Sequence, residues 1–196
     1  MENCPSSLSH LLRREDPFLD EDALPPESWE RVETVFLRHW NEINSGLSAE
    51  ARAHVEGIVR GARAVETLPS TETHARYLFM DEQIEYIRAI KNSWYGLTTL
   101  LHEYQHASDI EGARGLWRML LPLWSPTREL EITAFRREYR FQRDLIDALS
   151  VEEISSLGER ALSLRGREAA AYRAAVALMK GDEALAARLA QQLDPQ

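Results

Sequence analysis

The chain carries one cysteine, Cys4, so an intrachain disulfide is impossible and a packed core must hold the fold together. A chain so poor in thiols suits a reducing compartment. No apolar run approaches the roughly 20 residues of a bilayer-spanning helix. The opening stretch, MENCPSSLSHLLRRED, has no apolar segment behind a basic start and does not read as a secretory leader. Basic residues are in the minority: 23 Lys and Arg face 32 Asp and Glu, for a net charge of −9. A phosphate-backbone binder needs clustered Lys and Arg, so no nucleic-acid partner is expected. Internal repeats and low-complexity segments are also missing. Together these absences point to a cytoplasmic protein with no membrane span, although export without a cleaved leader would leave no mark.

What is present fits one domain of moderate size, or one domain with an appended helical lobe. Of 196 residues, 44% are hydrophobic, enough to bury a core without a disulfide or metal staple. Residues 1–26, rich in Pro, Ser and acids, read as an irregular lead-in. Pro26 suits a first helical position and Gly46 a stop. Between them Val32, Val35, Phe36, His39, Trp40 and Ile43 recur at helical spacing. Ser48 can cap a second helix through AEARAHVEGIVRGARAVET to Pro69, completing a helical hairpin over 27–68.

THARYLFM, residues 73–80, is the best strand candidate, and Asp81 is expected to cap a helix through IEYIRAI. Ser93 caps a helix ending near Gly112. A connecting loop, GARGLWRMLLPLWSP, leads to a helix that starts at Ser125–Pro126 and runs to about Leu149. Ser150 and Glu153 form a capping box, and the tail reads as two Ala-rich helices broken at Gly181–Asp182. The expected fold is mainly α, α+β at most, with one short edge strand or small antiparallel sheet. The catalytic core would span 73–149, with C-terminal helices (150–196) packed on it.

One motif carries chemistry: LLHEYQHASD, residues 100–109. On a helical wheel Trp94, Leu97, Leu100, Leu101, Tyr104 and Ala107 share one flank, and Tyr95, Thr98, His102, His106 and Asp109 the other. His102 and His106 lie one turn apart, so both imidazoles can converge on one zinc ion at about 2.0–2.1 Å. Glu103, rotated by roughly 100°, can flank the metal without binding it and act as the base that activates water. The competing reading is a solvated helix with two surface histidines, against which Leu100, Leu101 and Ala107 argue.

A hydrolytic zinc normally takes three protein ligands and keeps one open position. Asp109, Glu111, Glu129, Glu131 and Glu138 are candidates. On the helix from 126 to 149, Leu130, Ala134, Phe135, Tyr139, Phe141, Leu145 and Ile146 span a broad apolar face. Arg136, Arg137, Arg140 and Arg143 oppose it, and Glu129 falls among them. Glu131 and Glu138 fall in the middle of the apolar face, where a carboxylate costs several kcal/mol unless paired or metal-bound. Glu131 is favoured as the ligand over a buried ion-pair role, with Ala134 one turn on allowing close approach. Glu138 could orient a ligand histidine through its other ring nitrogen, and Asp109 could do so for His106. Both could equally be hydrogen-bonded polar residues at a boundary.

HEYQH followed by a helix bearing Glu131-x-x-Ala134 resembles the gluzincin-type zinc metallopeptidases, over roughly residues 75–145. The resemblance implies a zincin-like core with helical additions at both ends. It also implies His102, His106 and Glu131 as ligands of one Zn2+, and Glu103 as the catalytic base. The likeness is short and divergent: Asp109 and Gly112 stand at the glycine and third-histidine positions of the metzincin extension. Phe135 stands where thermolysin-like enzymes carry an aspartate. The resemblance further implies an extended peptide bound along ARYLFM, and an oxyanion stabiliser among Tyr139, Tyr95 and His74.

The expected function is hydrolysis of peptide bonds in a protein or peptide substrate, as a housekeeping enzyme or as an effector. The alternative is a helical interaction protein with a structural or vestigial metal site, for which Asp109 would be a natural fourth ligand.

Overall fold

The structure, a computed structural model, describes residues 24–69, 74–90, 93–113 and 127–191. Most of the lead-in and the Trp-rich connection at 114–126 lie outside them. Helix α1 (Pro26–Ile43) begins at the proline that the sequence marks, and all six residues of its apolar pattern are buried. It stops before Gly46, because the Asn44 side-chain amide donates to the Trp40 carbonyl at 2.8 Å and turns the chain. Ser48 then caps α2 (Ala49–Arg60), accepting the Ala51 N–H at 3.2 Å.

The next segment departs from expectation. The second helix ends at Arg60, and Arg63–Val65 form a strand, β1, instead of prolonging it. Strand β2 (Ala75–Leu78) lies where the sequence suggests, but Gln83–Ile87 form a third strand, β3, followed by a 3-10 turn at Arg88–Ile90. Asp81 therefore caps no helix. It sits in the β2–β3 turn, where its N–H bonds the Leu78 carbonyl and Glu82 takes a φ of +49°. Ile84, Ile87 and Ile90 mimic helical spacing, yet strand pairing decides, as it can for any short apolar run. Ile84 and Tyr86 point inward, while Glu85 is held by Arg76 at 2.7 Å.

The sheet order is β1-β3-β2. β2 pairs antiparallel with β3, whereas β1 pairs parallel with it, so the sheet is mixed and not purely antiparallel. β2 is left on an edge. Helix α3 (Trp94–Gly112) packs against β2, α1 and α2, and α4 (Thr127–Ala148) lies along α3. The flank of α3 formed by Leu97, Leu100, Leu101, Tyr104 and Ala107 is fully buried. Tyr104 meets Phe36 and Trp40 edge-on, with centroids 6.1 and 6.0 Å away, and Phe141 of α4 closes on Phe36 at 6.0 Å. This aromatic cluster fixes the rotation of α3 and hence the direction of its polar side.

The C-terminal helices α5 (Val151–Leu162), α6 (Gly166–Met179) and α7 (Glu183–Gln191) follow as expected, with the Ser150–Glu153 capping box formed. Among the described residues the fold is thus seven α-helices and one small sheet. Gly158 sits inside α5, where glycine costs a helix about 1 kcal/mol relative to alanine. The reason is Tyr172 of α6: a Cβ at Gly158 would fall 2.1 Å from its hydroxyl, which accepts the Trp94 indole N–H at 2.8 Å. Gly158→Ala should therefore destabilise the chain by about 1–3 kcal/mol through overpacking. Helix propensity alone predicts a gain of about 1 kcal/mol, so the sign of the change in urea denaturation decides between the two.

Candidate metal centre

Ser93 starts α3 by accepting the Gly96 N–H at 2.8 Å, which sets the phase of the motif two turns later. His102 and Glu103 are buried and His106 nearly so, with α4 covering the polar side of the helix. A solvated helix with two surface histidines is not what the structure contains.

The two Nε2 atoms of His102 and His106 lie 3.0 Å apart. The Glu131 carboxylate reaches both, Oε2 at 3.3 Å from His102 and Oε1 at 3.4 Å from His106. A tetrahedral ion with bonds of about 2.0–2.1 Å separates its donors by about 3.3 Å, so the two nitrogens and one carboxylate fit the set that zinc takes. Among the described residues no fourth His, Cys, Asp or Glu joins this group.

Each remaining candidate has its own position. Glu138 accepts the Nδ1–H of His102 at 3.1 Å, and its other oxygen lies 3.5 Å from the Thr98 hydroxyl. Asp109 does not orient His106; its Oδ1 accepts the Gln105 amide at 2.7 Å. Glu129 is exposed on α4. Glu111 turns away toward His54 at 3.6 Å, and His54 also pairs with Glu82 at 3.2 Å. That second His/Glu group shares no residue with the first. Tyr95 and His74 are engaged with one another, hydroxyl to Nδ1 at 3.3 Å. Tyr139 is 67% exposed on α4.

Helix α4 is less simply amphipathic than its wheel. Ala134, Phe141 and Leu145 are buried, but Phe135 and Tyr139 stand out in solvent, and Arg137, expected outside, is largely covered and paired with Glu42. Glu131 sits at the margin of the contact with its side chain 48% exposed, and is not aimed into the core. Ala134, one turn on from Glu131, is fully buried. The Phe135 ring, four residues on from Glu131, packs edge-on against the His102 ring at 4.6 Å. In the sequence Phe135 reads only as core and as a missing aspartate; its one-turn offset from Glu131 is the signal that places it beside the histidines.

Burial pushes the His102 imidazole down, but the Glu138 hydrogen bond and the nearby carboxylates of Glu103, Glu138 and Glu131 prevail and raise its pKa. His106 moves down, through burial and the neighbouring His102 charge. Burial raises Glu103 to about 7, against the opposing pull of His102 and of the Tyr77 backbone N–H that it accepts. This last bond joins the carboxyl to edge strand β2.

Comparison with protein-family models, with curated proteins and with solved structures gave no match. The site has to be read from its own residues.

Asp109 carries a further consequence. Burial raises its pKa from 3.8 to about 6, opposed by the Gln105 hydrogen bond and the Arg137 charge. The folded state therefore binds this proton more tightly than the unfolded chain, and stability falls as pH rises from about 4 to about 6. Asp109→Asn should stabilise the fold by about 1–3 kcal/mol above pH 6, with the gain vanishing below pH 4. Melting curves at both pH values check this; an equal shift at each would contradict it.

Proposed function

We propose that this chain is a zinc-dependent metallopeptidase of gluzincin type. The observation that carries the reading is the meeting of His102, His106 and Glu131 at donor separations of 3.0–3.4 Å, with buried Glu103 alongside. His102 and His106 through Nε2, and Glu131 through its carboxylate, would hold the ion. Zinc supplies a Lewis acid that polarises a carbonyl and brings the pKa of water to about 7.

The chain's own residues supply the rest. Glu103, buried beside His102, is placed to take a proton from water and give it to the leaving amine. Glu138 holds Nδ1 of His102, which leaves Nε2 directed at the ion and makes the ring a better donor. Phe135 restrains that ring from its open side. β2 offers an edge to which an extended peptide can add as a strand, and the Tyr77–Glu103 bond puts that edge beside the base. Three donors are the number a hydrolytic zinc takes, whereas a structural site closes with four. Among the described residues that count favours the peptidase over an interaction protein with a structural metal, and Asp109, the natural fourth ligand, is engaged elsewhere.

Purified chain should bind zinc through this group and cleave peptides. His102→Ala should remove that zinc, as metal analysis reads it. Glu138→Gln should weaken zinc affinity about 10–100-fold in a competition titration with a chelator. Glu103→Gln should keep the metal and lose about 10²–10⁴-fold in hydrolysis of a fluorogenic peptide. Wild-type turnover by zinc-loaded Glu103→Gln would overturn the mechanism.

A further inference from the structure

A cavity of about 390 Å³ lies at the start of α3, walled by Ile87, Ile90, Trp94, Leu162 and Tyr172, with His74 and Tyr95 on its polar side. That volume lies within the roughly 300–1,000 Å³ of pockets that hold small ligands. Its walls come from β3, from α3 and from the C-terminal helices α5 and α6. The Tyr172–Trp94 hydrogen bond and the Gly158–Tyr172 contact keep α6 seated against α3 there.

Two independent rulers relate this cavity to the metal centre. Along α3, Tyr95 precedes His102 by seven residues, two turns on the same side of the helix and roughly 10 Å of rise. Along the sheet edge, pairing with β3 continues to His74, whose carbonyl accepts the Ile87 N–H at 2.9 Å. From His74 to Tyr77, whose N–H meets Glu103, is three residues, again roughly 10 Å at the spacing of a strand. Both rulers put the cavity about three extended residues from the base. β2 runs from the cavity toward Glu103, so a peptide pairing antiparallel with it would run from Glu103 toward the cavity.

We infer that this cavity is a specificity subsite for a bulky apolar side chain, the third residue on the C-terminal side of the cleaved bond. The inference rests on the peptidase reading and adds the substrate class to it. Main-chain pairing to the edge strand would supply affinity without selectivity, and the apolar pocket would supply the selection. A charged or small polar side chain gains nothing from walls made of Ile, Leu and indole.

The test uses the full, zinc-loaded chain on a randomised peptide library, with cleavage sites and the flanking residues read by mass spectrometry. Two variants accompany it. Ala89→Trp fills the pocket from an exposed rim position, and Leu162→Glu puts a charge on an exposed wall residue, so neither disturbs the core. Wild type should favour Phe, Leu, Met or Trp at that position over Ser or Asp by about tenfold or more. Both variants should lose the preference while cleaving peptides with Ser there as fast as wild type does. Cleavage with no preference at that position, or a preference that both variants retain, overturns the subsite and leaves the peptidase standing. A wild-type chain that cleaves nothing in the library overturns the peptidase reading, and the subsite with it.

Discussion

The packing of α4 against α3 is the constraint on which the rest depends. Ala134, between Glu131 and Glu138 on α4, is fully buried. Glu131 precedes it by three residues and Glu138 follows by four, so both carboxylates flank the same contact. One meets the Nε2 atoms of the two histidines, and the other takes Nδ1 of His102. The same contact gathers three carboxylates, Glu103, Glu131 and Glu138, around two imidazoles. Of the three, Glu103 is the buried one, and burial raises its pKa to about 7.

The rest of the fold serves that contact at longer range. The aromatic cluster of Phe36, Trp40, Tyr104 and Phe141 locks α3 and α4 to α1, so the histidines cannot rotate away. β2 closes the opposite side of α3 and brings a backbone N–H to Glu103. The C-terminal helices reach the far end of α3 through Trp94 and Tyr172, so they pack on the core and are not a detached lobe.

Much of this was legible in the sequence where local chemistry decides. Ser48, Ser93 and the Ser150–Glu153 box mark helix starts because their oxygens satisfy N–H groups that any helix leaves free. The spacing of His102, Glu103 and His106 carries its own geometry, since one helical turn brings both rings to one side. Where tertiary pairing decides, the sequence misleads. Gln83–Ile87 carry a helical spacing of isoleucines yet become the central strand, because β1 and β2 pair with it from both sides. The Ala-rich stretch after Gly61 yields to the same sheet. Phe135 and Tyr139 look like core on a wheel but stand largely in solvent. Asp109 shares a side with His106, but Gln105 one turn before it competes for its carboxylate.

X-ray absorption at the zinc edge, on the loaded chain and on Glu131→Ala, addresses the convergence itself. The wild-type spectrum should fit two imidazole nitrogens and light oxygen scatterers at about 2.0–2.1 Å, and the substitution should remove a carboxylate contribution and weaken retention of the ion. A spectrum unchanged by Glu131→Ala, or zinc bound without imidazole scattering, would contradict a centre built from His102, His106 and Glu131.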